Sequence, residues 1–221
     1  MLEPHDYRVA PDAIHTIAHP AAIAIALALG RIHQTFPIRR SVILIFEPAS
    51  ERGMKGVVEL QEQTVSLLSF KNLPKKVFDN QLSFAMLARL GEDAPVQLED
   101  VELRIERHLT TLLSISSGAP IPSLRLIQAP VFHGYSFSLW IEFEENPGVN
   151  EIERVLNGDP VDLRNAAEEP PTNIGAAGQK GVAIGDVSID RNHPQAAWLW
   201  MVADNLRLAA ENAVMVAQEV M

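Results

Sequence analysis

The chain contains no cysteine. That excludes disulfides, iron–sulfur clusters, thiolate zinc sites and every mechanism that runs through a thiolate nucleophile. Positive charge is scarce as well: 18 Lys and Arg stand against 28 Asp and Glu, for a net charge of −10. A protein that grips a phosphate backbone needs a basic face, so no nucleic-acid partner is expected. There is no long apolar run. The longest, Ala21 to Leu29, falls far short of the ~20 residues that span a bilayer, and the polar, acidic start MLEPHDYRVAPD lacks the regions of a signal peptide. These absences point to a cytoplasmic protein without a membrane partner. Aromatics are few, at 6%, but apolar residues reach 47% of 221, enough to bury a substantial core.

Hydrophobic periodicity predicts the elements. Ala21 to Gln34 follows Pro20, is apolar around most of its circumference and should be a buried helix. Ser41 to Phe46, SVILIF, should be a buried strand. Gly53 to Leu68 places Val57, Leu60, Thr64, Leu67 and Leu68 on one helical stripe with Glu and Gln between, and Leu98 to Leu113 repeats the pattern behind an acidic first turn. Strands are expected at Leu124 to Val131, Phe137 to Phe143, Val182 to Ile189 and Ala197 to Val202. A short helix should cover Asn150 to Leu156, a loop Glu168 to Gly181, and a last helix Leu206 to Val220 behind Asp204 as N-cap. The mixture predicts an α+β fold, helices packed on one sheet.

Motifs of chemistry are weak. His15 and His19 are four apart, but Pro11 and Pro20 argue against a helix, no H-E-x-x-H occurs, and no metal site is expected. His133 and Tyr135 would share a side if the segment is extended, though a polar strand end is the better account. Ser50, Ser116 and Ser136 have no G-x-S-x-G elbow. Trp198 and Trp200 alternate with Leu199 and Met201, as in a strand packed on both faces. No G-x-G-x-x-G follows a strand, so no cofactor is expected to bind this chain by itself.

Five segments, in order, carry a resemblance. Ala18 to Ile23 is AHPAAI; Phe46 to Thr64 is FEPASERGMKGVVELQEQT; Glu102-Leu103-Arg104 sits on a helix; Gln128 to Ser136 is QAPVFHGYS; Ala203 to Arg207 is ADNLR. They resemble the NPNCST, YQAVSGAGKKGIEELLEQT, Glu-x-Lys, RVPVFYGHS and SDNLR segments of aspartate-semialdehyde dehydrogenases. The resemblance implies a glyceraldehyde-3-phosphate dehydrogenase-like C-terminal domain. It would be a dimerisation-type domain over residues 1–221, with the N-terminal Rossmann domain absent. It further implies that the catalytic positions are degenerate. The cysteine nucleophile falls at Ala22, whose methyl group cannot attack a carbonyl. The acid/base histidine falls at Tyr135, whose pKa near ~10 makes it a poor proton shuttle. The carboxylate-clamping arginine falls at Gln128, and the glutamine beside the cysteine falls at Glu47. Of the SGAG turn, Ser50 and Gly53 survive, with Glu51 and Arg52 between.

Three positions are kept: Glu102 and Arg104, which match a substrate-contacting pair, and Asn205, which matches an asparagine near the nicotinamide. One subgroup, the Usg-type paralogues, fits better than the enzymes themselves, being similar in QAPVF and in lacking the nucleophile; EPPTNIGAAG at Glu169 to Gly178 resembles their EFPTQVGDASG. The expected function is therefore association without catalysis, as a homodimer through a sheet face or with a true dehydrogenase subunit. Phe137, Leu139, Trp198 and Trp200 are its candidate interface or core residues, on strands read as apolar on both faces. Two alternatives follow: a fragment or subunit of an NADP-dependent aspartate-semialdehyde dehydrogenase of amino-acid biosynthesis, using NADP if a Rossmann domain is supplied elsewhere, or a sensor of small anions at Arg104.

Overall fold

The computed structural model describes residues 14–220. Six strands form one mixed sheet in the order β2-β1-β3-β6-β5-β4. They are β1 (Ile38–Glu47), β2 (Ser123–Gln128), β3 (Tyr135–Phe143), β4 (Val161–Leu163), β5 (Val182–Ile189) and β6 (Ala196–Ala203). The pairs β1–β2 and β4–β5 are parallel; β1–β3, β3–β6 and β5–β6 are antiparallel. The helices are α1 (Pro20–His33), α2 (Gly53–Leu68), α3 (Leu98–Ser116), α4 (Val149–Leu156), the short α5 (Asn173–Ala176) and α6 (Asn205–Val220).

The α+β expectation holds, and the longer elements lie where periodicity put them. α1 is the central helix. Eleven of its fourteen residues are buried, so it is packed on every side, between the sheet and α3, α4 and α6. Proline at its first position and Asp204 at the start of α6 act as expected: the Asp204 carboxylate accepts from the backbone N–H of Leu206 and Arg207. β1 and β3 begin earlier and α3 ends later than expected, at Ile38, Tyr135 and Ser116, and three further differences have local causes. β2 stops at Gln128, and Gly134 in a left-handed conformation (φ +81°) turns the chain before β3. The segment expected as loop at 168–181 contains α5, capped by the Thr172 hydroxyl. β4, only three residues long, gave no periodic signal.

The two faces of the sheet are not alike. Ile43, Ile45, Phe137, Leu139, Ile141, Leu199 and Met201 face the helices and are fully or almost fully buried. Cross-strand register puts Val42, Leu44 and Phe46 on the opposite face with Ser136, Ser138, Trp140, Trp198 and Trp200. Val42 is 41% and Trp198 39% exposed. The expectation that these strands are apolar on both faces is therefore corrected. β3 turns serines and Glu142 outward, and β5 turns Asp186 and Ser188 outward. Phe137 and Leu139 are core; of the four candidate interface residues only Trp198 and Trp200 lie on the open face. An apolar-to-charged change at Leu139 reports on folding, not on an interface.

α2 departs from its amphipathic reading. Its buried residues are Gly56, Glu59, Leu60 and Gln63, while Leu68 is 71% exposed. Glu59 accepts hydrogen bonds from the backbone N–H of Lys76, Val77 and Phe78. Gln63 accepts from Leu82 and Ser83 N–H and donates to the carbonyls of Pro74 and Asn80. Two polar side chains thus hold the long segment between α2 and α3, whose buried backbone groups need partners.

Candidate functional site

Six elements surround the degenerate positions. Ala22 lies in the first turn of α1; Glu47 ends β1; a 3₁₀ turn, Ala49–Arg52, follows; Tyr135 opens β3; Asn205 opens α6; Arg104 and His108 are one turn apart on α3. The turn approaches α2 closely: a Cβ on Gly56 would come within 2.4 Å of the Ala49 carbonyl oxygen, so glycine is required there. Ala22, Glu47, Gln128, Tyr135 and Asn205 are each fully buried.

The centre is filled by charge. Arg52 Nη2 lies 2.7 Å from Glu47 Oε1, with both side chains almost wholly out of water. The contact is Coulombic, since neither group makes an aligned side-chain hydrogen bond there. Burial pushes the Glu47 carboxyl up to about 7, against the pull of Arg52. Gln128 donates from Nε2 to the Glu47 carbonyl oxygen at 2.8 Å. Its amide is neutral, with Nε2 bound to the backbone and Oε1 buried without a hydrogen-bond partner.

Glu51, the other half of the turn, reaches the opposite way. Its Oε1 accepts from Asn205 Nδ2 at 2.8 Å and its Oε2 lies 3.6 Å from His19 Nε2. Asn205 Oδ1 accepts from Ser50 Oγ and from Gly134 N–H. Every polar atom of the Asn205 side chain is thus engaged by the protein. Burial raises the Glu51 carboxyl as well, opposed first by its hydrogen bond to Asn205. The Tyr135 hydroxyl faces Glu51 without an aligned hydrogen bond, and burial among carboxyls raises it well above the ordinary phenol value. It cannot lose a proton near pH 7.

His19 caps α1. Its Nδ1 accepts from Ala21 N–H, which leaves the proton of the neutral ring on Nε2, toward Glu51. Burial first, and then the charges of Arg104, His108 and Arg52, lower it to about 3. His19 N–H donates to His108 Nδ1 at 2.8 Å. His108 is lowered too, by burial and by Arg104.

The remaining candidates divide. Glu102 accepts from the backbone N–H of Leu126 at 2.5 Å and so fastens α3 to β2. Arg104 is exposed and makes no ion pair among the described residues, yet its charge bears on His19, Glu47, Glu51 and Tyr135. His133 is exposed on the turn before Gly134, while Tyr135 is buried, so the two do not share a side. Sequence reasoning missed His108 and weighed His19 only as a metal ligand. The signal for His19 was its place before Pro20 at the head of an apolar helix, the N-cap position. A cavity of about 320 Å³ lies elsewhere, beside α5 and the edge strands, lined by Arg164, Thr172, Lys180 and Asp204. Among the described residues no cluster of three or more His, Asp or Glu is placed to hold a metal, and no helix is long and apolar enough to cross a membrane.

A mixed six-stranded sheet with helices on one face, carrying this cluster at one end, defines the class. The chain belongs to the semialdehyde dehydrogenase dimerisation-domain family, whose profile matches residues 29–208. It is 30% identical to an aspartate-semialdehyde dehydrogenase of Rickettsia bellii over 211 residues, 92% of this chain and 61% of that protein. It is 32% identical to a USG-1 protein homolog of Pseudomonas aeruginosa over 206 residues, 91% of this chain and 61% of that protein. A solved structure of a probable aspartate-semialdehyde dehydrogenase from Pseudomonas aeruginosa superposes with a TM-score of 0.81 at 30% identity, over 91% of this chain and 60% of that one. The chain thus spans about three fifths of the relatives it matches.

Proposed function

We propose that this chain is a non-catalytic member of the family whose retained role is association, as a homodimer through the open sheet face or with a dehydrogenase subunit. The observation that carries the reading is the buried Glu47–Arg52 pair, together with a buried methyl group at Ala22 where the resemblance puts a thiolate. Tyr135 supports it, because a phenol held above its ordinary range does not shuttle protons near pH 7. Gln128 supports it, because a neutral amide spent on the Glu47 carbonyl cannot clamp a carboxylate. Groups that act as a unit lose nearly all their effect when several are gone. The association half rests on the open face, where Val42 and Trp198 are over a third exposed and Leu44, Phe46 and Trp200 extend the patch.

Two measurements test it. Phosphate-dependent reduction of NADP with aspartate semialdehyde should not rise above a mock preparation; turnover above it defeats the non-catalytic reading. Light scattering at micromolar concentration should give twice the monomer mass for the wild type and the monomer mass for Val42→Lys. A wild-type monomer that also captures no dehydrogenase subunit defeats the association reading.

A further inference from the structure

We propose that the Glu51 carboxyl is an intramolecular ligand. It occupies a carboxylate-binding recess made by Asn205, His19 and Tyr135, and a free small carboxylate takes that recess when the Glu51 side chain is removed. The recess is built of polar groups that are themselves out of water: Asn205 and Tyr135 are fully buried and His19 is 7% exposed. Asn205 donates to Glu51, and the His19 and Tyr135 donors stand beside the same carboxyl without an aligned hydrogen bond of their own. Asn205 Nδ2 donates at 2.8 Å, His19 Nε2 stands 3.6 Å away with its proton directed outward from the cap, and the Tyr135 hydroxyl faces the same carboxyl. Arg52 and Arg104 add positive charge without touching it.

The donors are held independently of Glu51. Asn205 is fixed by Ser50 and Gly134, His19 by Ala21 and His108, and Tyr135 by its place in β3 between ring contacts to His19 and Phe137. Removing the Glu51 side chain would therefore leave Asn205 Nδ2 without its acceptor, and the His19 and Tyr135 donors facing an empty recess. Buried donors without partners are costly, and an anion that supplies the lost oxygens recovers that cost. The two oxygens of a carboxylate match the span that Glu51 bridges between Asn205 and His19. A tetrahedral oxyanion carries more oxygens and charge than that contact uses. The inference does not depend on the association reading; it holds for a monomer or a dimer.

The test uses Glu51→Ala of the full chain with sodium acetate as probe, and sodium chloride and sodium sulfate at matched ionic strength as controls. Glu51→Ala should melt below the wild type. Acetate at about ten times its Kd should raise its Tm saturably by about 3 °C, with chloride and sulfate doing less. Wild type and Glu51→Gln, whose recess stays occupied, should not respond. The response should vanish in Glu51→Ala/Asn205→Ala. Equal response of Glu51→Ala and wild type, an equal or larger effect of sulfate, or an undiminished effect in the double variant overturns the proposal. If Glu51→Ala does not fold, the exchanged pair decides. Asn205→Asp sets carboxyl against carboxyl and lowers Tm, and Glu51→Gln in that background should restore most of the loss by donating its amide to Asp. Failure to restore overturns it.

Discussion

Glu47 and Glu59 lie on either side of the same 3₁₀ turn, and both carboxyls are shut away from water. Glu59 accepts three backbone N–H groups and holds the segment after α2. Glu47 has no aligned hydrogen bond, faces one guanidinium, and is pushed up to about 7 by burial. A buried carboxylate in a nest of backbone donors has an architectural role, because taking it away orphans the donors. A buried carboxylate opposite a single cation, next to another acid and a tyrosine, supports no backbone; its cost is electrostatic and depends on that one cation. Burial is the same in the two places. What differs is whether the fold needs the group.

The largest effect should therefore come from the architectural carboxyl. Glu59→Ala orphans the N–H groups of Lys76, Val77 and Phe78 and opens a void beneath α2. It should cost about 4 kcal/mol in urea unfolding, near the upper end for single substitutions. A loss below about 1 kcal/mol would mean that the segment holds itself, and the contrast with Glu47 would collapse.

Breaking the ion pair comes second. Arg52→Met leaves Glu47 buried without its cation and should cost about 3 kcal/mol at pH 8. At pH 5 the carboxyl carries a proton and the same substitution should cost less. An equal loss at both values would place the role of Arg52 in packing along its stem rather than in charge.

Third is the pH profile of the intact chain. Glu47 is raised in the fold from 4.5 to about 7. Below about 4.5 it is neutral in both states. Between 4.5 and 7 only the unfolded chain gives up its proton, so stability falls as pH rises, by on the order of 3 kcal/mol in total. His19 is lowered from 6.5 to about 3. Between 3 and 6.5 only the unfolded chain takes up its proton, so that contribution is lost as pH falls. The two slopes oppose each other from 4.5 to 6.5. His19 is left to govern the acid side, and Glu47 the last fall toward pH 7. Glu47→Gln should reduce that fall whatever it does to absolute stability, leaving the share of Glu51, whose carboxyl burial also raises; chemical denaturation from pH 4 to 8 reads the slope directly.

Much of this was legible in the sequence. α1 is apolar all round because it is central, and the β-branched run of β1 is buried. The motifs around Ala22, Gln128, Tyr135 and Asn205 located the cluster. What pattern could not supply was pairing. That Arg52 turns inward to Glu47 while Glu51 turns to Asn205 depends on the 3₁₀ geometry, since neighbouring residues on so tight a turn point apart. The same limit misplaced the apolar faces of the strands. Phe137 and Trp200 are both large and aromatic, and only the register of β3 on β6 puts one on the buried face and the other on the open side.

α2 gives the sharpest case and the smallest expected effect. Hydrophobic periodicity sets Leu68 on the inward stripe and Gln63 outward, and the fold reverses both: Leu68 is 71% exposed and Gln63 is fully buried with four hydrogen bonds. The reversal has a cause. The chain after α2 runs back along the helix in irregular conformation, so its backbone N–H and C=O groups meet side chains instead of a ladder, and only polar side chains can satisfy them. An amphipathic helix packed on irregular chain must turn polar groups inward. Leu68→Gln should then change unfolding free energy by less than about 0.5 kcal/mol, as for ordinary surface positions. Gln63→Leu, the change that hydrophobic patterning would favour, should cost several times as much because it leaves four backbone groups unpaired. Measuring both in one denaturation series separates the accounts: if Leu68→Gln proves the more damaging of the two, α2 packs by its apolar stripe, and Glu59 is no longer the architectural counterpart of Glu47.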